Sequence, residues 1–406
     1  MGNVPKLRFK GFVGEYNSYQ LNELGEYGKS YPFSRAYEGE GDVHHIHYGD
    51  IHIKLPTIIS DSSVLPSITE KRDFQYVQVG DIVIADASED YKDLGKAVCI
   101  NDDSHKVISG LHTHRFSPYQ KTAISDYLVR YMQTERYRRF IYRMGTGVSV
   151  LGLSKANLSK FKLNLPVLEE QKKISFFFNE LENRIERQQE KIELLKEQKK
   201  GYMQKIFNRE LRFKDEYGKA FPESKEYNFA DFLEIPLKEK EENPIKENLL
   251  TVKLHLKGIA VSENIATLKI GSTTYYKRKA GQFIYGKQNL FNGAFGIVPD
   301  YLDGYLSSGD IPTLDFHVDN IEPYYFFYYL SQRDIYKRLE NISNGTGSKR
   351  IHEAELLKQK IKLPCIKEQQ KIVQFLSSMD RKIDREEEKL VALQEQQKGF
   401  MQQMFI

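Results

Sequence analysis

The feature that most constrains this chain is that it is written twice. Leu165-Pro166, Glu170-Gln171, Lys173-Ile174 and Phe177 recur as Leu363-Pro364, Glu368-Gln369, Lys371-Ile372 and Phe375, each 198 positions later. The match continues from Glu197-Gln198, Lys200-Gly201, Met203-Gln204 and Phe207 to Glu395-Gln396, Lys398-Gly399, Met401-Gln402 and Phe405. Fainter matches lie upstream with small shifts in offset, as loop insertions produce. Leu7-Arg8-Phe9-Lys10 returns as Leu211-Arg212-Phe213-Lys214, Val43 to Gly49 resembles Val252 to Gly258, and Gly80 to Ile84 resembles Gly281 to Tyr285. Gly145-Thr146-Gly147 is paired with Gly345-Thr346-Gly347. The chain therefore divides into a head, residues 1–166, a tail, 167–207, a second head, 208–364, and a second tail, 365–406. Similar tails behind divergent heads predict a shared mechanical task for the tails and an individual task for each head.

In the first tail Ile174, Phe178, Leu181, Ile185, Ile192, Leu195, Tyr202 and Ile206, with Gln188 and Lys199 at the two remaining positions, fall on alternating steps of four and three, the signature of a heptad seam. Ile372, Leu376, Met379, Ile383, Leu390, Leu393, Phe400 and Met404 repeat it in the same phase. Glu169 to Phe207 amounts to about 58 Å of helix, without proline and with no glycine before Gly201. A narrow apolar stripe on a charged helix needs a partner, so the two tails are expected to pair as a coiled coil. The pattern leaves the direction of pairing open.

The heads read as mainly β. Val43 to Ile53, Gln78 to Ala85, Lys96 to Ile100 and Val107 to Phe116 are short β-branched or alternating runs between turn residues. Thr251 to Ile259, Ala266 to Ile270, Gly281 to Tyr285 and Ala294 to Val298 follow in the second head, with turns at Gly271-Ser272, Asn292-Gly293 and Asp303-Gly304. Each head ends in a helical stretch, Ile124 to Met144 and Ile321 to Ile342. The fold class is α+β: two β-rich heads with helices, joined by two long helices.

Sixty basic against 56 acidic residues leave a formal charge of +4, so any nucleic-acid footprint must be local. No apolar run approaches the roughly 20 residues that span a bilayer. Two cysteines, Cys99 and Cys365, form no disulfide framework, and a cytoplasmic location is expected. No phosphate-cradling Gly-x-x-x-x-Gly-Lys-Ser/Thr loop or dinucleotide fingerprint is present. The histidines His44, His45, His47 and His52 lack a repeated counterpart or nearby cysteines, so no metal and no catalytic residue is assigned; Asp300 and Asp303 read as turn residues.

Basic and amide side chains near predicted turns are the candidates for DNA contact. In the first head Leu128 to Met144 carries Arg130, Arg136, Arg138, Arg139 and Arg143, interleaved with Tyr131, Tyr137, Phe140 and Tyr142. Arg136, Arg139, Arg143 and Thr146 are selected there, with His45 and Lys54. In the second head the set is Lys277, Arg278, Lys279, Lys287, Gln288, Asn289, Thr346, Ser348, Lys349 and Arg350. A solvated amphipathic helix and ordinary polar turns are the competing reading of these residues.

The paired heads and tails, with Gly-Thr-Gly and the Leu-Pro-x-x-x-Glu-Gln motif at Leu165 and Leu363, resemble a specificity subunit of a type I restriction-modification system. The Leu-Arg-Phe-Lys segments at Leu7 and Leu211 resemble that family too. The resemblance implies that each head is a target recognition domain reading one half of a split sequence in double-stranded DNA. It also implies that the helices run antiparallel about a pseudo-twofold axis, set the gap between half-sites and dock the modification subunits. Two modification subunits would bring adenine methylation and S-adenosylmethionine; two restriction subunits would bring ATP- and Mg²⁺-dependent translocation and cleavage. This chain itself would bind no cofactor and catalyse nothing. The chain has no Trp where related heads often place one, and Tyr16 or Tyr19 is the expected substitute. A metal-dependent nuclease and a purely structural coiled-coil adapter are the rival readings.

Overall fold

A computed structural model of the chain describes residues 4–262, 273–317, 320–345 and 348–406. The expected strand Ala266 to Ile270, the turn Gly271-Ser272 and Thr346 lie outside the described residues. The chain forms two compact units, Met1–Gln189 with Glu388–Ile406, and Glu190–Glu387. Both long helices, Leu168–Phe207 and Ile366–Met404, cross the boundary. Each unit is thus one head plus about half of each helix, a grouping that cuts across the head and tail segments of the sequence. Among the described residues no helix is long and apolar enough to cross a membrane.

In the first unit a five-stranded sheet runs, in spatial order, Gly25–Tyr27, Thr113–Pro118, Ile82–Ala85, Ala97–Ile100 and Ile58–Ile59. The last pair is parallel and the others antiparallel. Ile82–Ala85 is buried on both faces: Ile82 and Ile84 join one apolar core while Val83 and Ala85 join another, the two-residue period of a strand. A smaller sheet of Ser67–Ile68, Glu38–Ile46 and Lys106–Ser109 stands beside it. Asn17–Gln20 pairs with Lys162–Leu165 and so joins the head's start to its end.

The second unit repeats the order of the four antiparallel strands. Leu233–Glu234, Thr313–Phe316, Phe283–Tyr285 and Phe295–Ile297 lie in that order, all antiparallel. Phe283 and Tyr285 face one core and Ile284 the other. Lys225–Asn228 pairs with Lys360–Leu363 to close the head.

The repeated motifs are the joints between head and helix. Arg8 grips both oxygens of the fully buried Glu170 at 2.7 Å, and Arg212 grips Glu368 at 3.3 and 3.0 Å. The Gln171 side chain accepts from the Ile124 amide at 2.8 Å and donates to the Pro166 and Thr122 carbonyls at 2.8 and 3.1 Å. Gln369 repeats this with the Glu322 amide and the Pro364 and Asn320 carbonyls. Leu-Pro-x-x-x-Glu-Gln is therefore a latch that fixes the start of each long helix to its head. Tyr16 is buried with its hydroxyl 3.3 Å from Glu170, whereas Tyr19 is only half-buried.

Within each unit the helix segments run antiparallel. In the first, Phe177 packs on Phe9 and Phe400, and Phe405 sits against Tyr127 and Tyr131. In the second, Phe375 packs on Phe213 and Tyr202, and Phe207 sits against Tyr325 and Tyr329. Lys191 pairs with Glu386 at 2.9 Å, Lys196 with Glu387 at 2.8 Å, and Lys199 with Asp380. Ile174, Phe178, Leu181, Ile192, Leu195, Ile372, Leu376 and Ile383 are buried; Ile185, Met379, Leu390 and Leu393 are half-buried. Ile174 and Phe178 join the core of the first head, and Ile372 and Leu376 that of the second.

Four expectations require correction. The single helix Ile124 to Met144 is two, Ser125–Tyr131 and Glu135–Met144, because the Thr134 hydroxyl accepts from the Tyr137 amide and starts a new helix. Ile321 to Ile342 is likewise split into Pro323–Leu330, Arg333–Arg338 and the 3-10 turn Leu339–Ile342. Val43 to Ile53 is strand only to Ile46; the His47 ring accepts from the Gly49 amide and caps the helix Tyr48–Ile53. The Gly-Thr-Gly pairing is off by two residues. Thr146 and Gly152 exchange backbone hydrogen bonds, as do Asn344 and Arg350, and Gly147 and Gly345 both carry positive φ. Thr146 is thus equivalent to Asn344, not Thr346, at the offset of 198 that the tails already show.

Candidate nucleic-acid interface

In the first head the helix Glu135–Met144 turns Tyr137, Phe140 and Ile141 into the core, which leaves Arg139 and Arg143 exposed. Among the described residues neither is tied to a carboxylate. Arg136 is half-buried beside the Tyr131 hydroxyl. Thr146 follows on the exposed loop, its hydroxyl 3.5 Å from the Gly152 carbonyl. The other two arginines of the stretch face inward. Arg130 is fully buried and reaches Asn179 and Glu182 on the long helix at 2.6 Å each. Arg138 donates to the Tyr91 and Leu94 carbonyls.

Of the histidine segment, Lys54 is exposed and loosely paired with Asp50 at 3.8 Å. His45 must be withdrawn as a surface contact: it is fully buried, with Nε2 3.3 Å from Glu38. Burial also pushes the His45, His47 and His52 imidazoles below their ordinary pKa, because a charged ring there loses its hydration. Among the described residues no group of three or more His, Cys, Asp or Glu is placed to hold a metal ion.

In the second head two of the basic clusters converge. With the Gln288 amide oriented to put its oxygen toward Arg350, that oxygen accepts from Arg350 Nε and Nη2 at 3.2 and 2.9 Å and from Ser348 Oγ at 3.2 Å. Arg350 also approaches Asp310 at 3.4 Å, and Lys287 pairs with the buried Glu353 at 3.0 Å. Asn289 accepts from Asn292, and Lys349 pairs with Glu340. Lys277 and Lys279 form a separate group, paired with Glu241 and Glu239. Arg278, between them in sequence, is withdrawn as a contact. It is buried, bonded to Ser307 and Thr313 and to the Ser308 and Ile311 carbonyls, and burial lowers its pKa to about 10.

The sequence reading missed a basic surface built on aromatic rings. The Arg72 guanidinium lies 4.9 to 5.4 Å from the centres of Tyr31, Phe33 and Phe74, with Lys29 over Tyr31 and Lys106 over Tyr76. Lys71-Arg72 followed by Phe74 and Tyr76 is the local signal, but two of the three rings that Arg72 meets, Tyr31 and Phe33, come from about 40 residues earlier. Asp300 and Asp303 serve turns: Asp303 accepts from the Ala280 amide, and Asp300 opens a 3-10 turn.

Comparison with known proteins agrees with this architecture. The family model described as type I restriction modification DNA specificity domain matches residues 14–197 and again 222–395. The chain is 25% identical over 291 residues to the type I restriction enzyme MjaVIII specificity subunit of Methanocaldococcus jannaschii, spanning 65% of this chain and 66% of that protein. It is 24% identical over 339 residues to the putative MjaX specificity subunit of the same organism, spanning 75% and 73%. The match thus covers just under two thirds of the first relative's length. The fold is similar to that of the type I restriction-modification S subunit from M. genitalium, with a TM-score of 0.59, 13% identity and 99% of both chains covered. With two matches that together take in most of its length, the chain belongs to the family of type I restriction-modification DNA specificity subunits.

Proposed function

We propose that this chain supplies DNA sequence specificity to a type I restriction-modification assembly, each head reading one half of a bipartite duplex target. The observation that carries the reading is that two heads whose central sheets share the order of four antiparallel strands, latched to the long helices by the same Arg–Glu and Gln contacts, present different basic side chains. A common frame with unlike surfaces suits the reading of two unlike half-sites. The helix pair serves as spacer and docks two modification subunits, which hold S-adenosylmethionine and methylate adenine. Two restriction subunits use ATP and Mg²⁺ to translocate and cleave, and this chain catalyses no step. Co-expression with the modification subunit of the same organism, followed by mapping of adenine methylation across the genome, tests this. Methylation at one bipartite motif that vanishes without this chain is expected; a stable complex that leaves the genome unmarked would contradict it.

A further inference from the structure

The loop Thr146 to Gly152 is closed at its base by two reciprocal backbone hydrogen bonds, 3.0 and 2.7 Å. Gly147 sits at φ +131°, and a Cβ there would lie 2.0 Å from the Val150 carbonyl oxygen. Leu151 and Leu153 anchor the far side in the core, where Leu151–Gly152 pairs with Ala87–Ser88. A loop so fixed cannot fold its tip inward, yet the tip carries Val148, fully exposed, and Val150, 59% exposed. Single exposed apolar side chains are ordinary on a surface, but here two lie within three residues of one another on the same fixed loop tip. The exposed Arg139 and Arg143, neither tied to a carboxylate among the described residues, lie on the helix that leads into this loop. The second head builds the equivalent loop on Asn344, Gly345 and Arg350, but has Thr346 and Ser348 in the valine positions.

We propose that Val148 and Val150 form an apolar reading tip that contacts base edges of duplex DNA, with Arg139 and Arg143 gripping the adjoining phosphates. This rests on the proposed DNA-reading role and assigns residues to it. Phosphate charge complements the arginines, and thymine methyls or an opened base step give the valines an apolar partner. Valines in one head and, at the matching sequence positions, Thr346 and Ser348 in the other would make the two half-sites differ.

The test uses the assembled complex with the modification subunit and a randomised duplex library. If the wild-type complex selects no sequence, the DNA-reading role itself fails. If it does, the double variant V148S/V150S is expected to lose on the order of tenfold affinity for the selected site. The salt slope of binding should stay unchanged, because no phosphate contact is removed. R139Q/R143Q is expected to flatten the salt slope instead. Unchanged affinity and preference in V148S/V150S would overturn the proposal. So would failure of a folded V148S/V150S chain to assemble, which would make the tip a protein-docking element.

Discussion

Glu170 and Glu368 are carboxylates held almost wholly out of water, and an arginine from the head's first segment meets both oxygens of each. Arg8→Ala strands the Glu170 charge and should cost about 3 kcal/mol, read as a lower denaturant midpoint for the first unit. Arg8→Lys should recover little of it, since an ammonium cannot reproduce the two-pronged contact. Buried histidines give the same unit a pH dependence. Burial lowers the pKa of His45, His47, His52 and His114, so the folded head refuses protons that the unfolded chain accepts. Stability is complete above about pH 6.5 and is lost as pH falls from there toward the depressed folded values. Hydrogen exchange, corrected for its chemical pH dependence, should show Glu38–Ile46 and Lys106–Ser109 losing protection between pH 7.5 and 5.5; constant protection would contradict this. The repeat showed that Arg8 and Arg212 matter, but not why. Their partners lie more than 150 residues away, and no local pattern encodes that contact.

At the scale of elements, spacing revealed what is periodic and missed what is decided by a single cap. The heptad phase and the β character of the heads follow from burial, which repeats along the chain. Thr134 and His47 instead divert the chain by one side-chain-to-amide hydrogen bond each, too local for periodicity to register. The Gly-Thr-Gly match was misleading for a related reason: identical letters drew attention from the backbone position that needs glycine. Gly147 and Gly345 are that position, at φ +131° and +114°. Gly147→Ala and Gly345→Ala should each destabilise by about 1–3 kcal/mol through backbone strain and collision with a carbonyl oxygen. Gly152→Ala, whose new methyl would meet only the Thr146 carbonyl at 3.8 Å, should be nearly neutral in the same denaturation experiment. Equal effects at all three positions would remove the argument for a locked loop.

For the whole molecule, the consequential fact is that both long helices pass without a break from one compact unit into the other. Gly201 is the only glycine in the first helix and Gly399 in the second, and neither contains proline. On the proposed reading the helix pair is a spacer whose length is counted in residues. Ion pairs Lys191–Glu386, Lys196–Glu387 and Lys199–Asp380 give the antiparallel register, so the partner of Gln189 to Leu195 is Asp384 to Leu390. Deleting both heptads together removes about 10 Å of helix and keeps the seam in phase, since seven residues are close to two turns. That length corresponds to about three base pairs of duplex. Three base pairs also rotate the duplex by about a third of a turn, which the helices do not follow. The deletion complex is therefore expected to abandon the wild-type gap, either choosing a shorter one in a selection from randomised spacers or losing specific binding. Selection of the original gap by a folded deletion complex would show that the helices do not set the spacing.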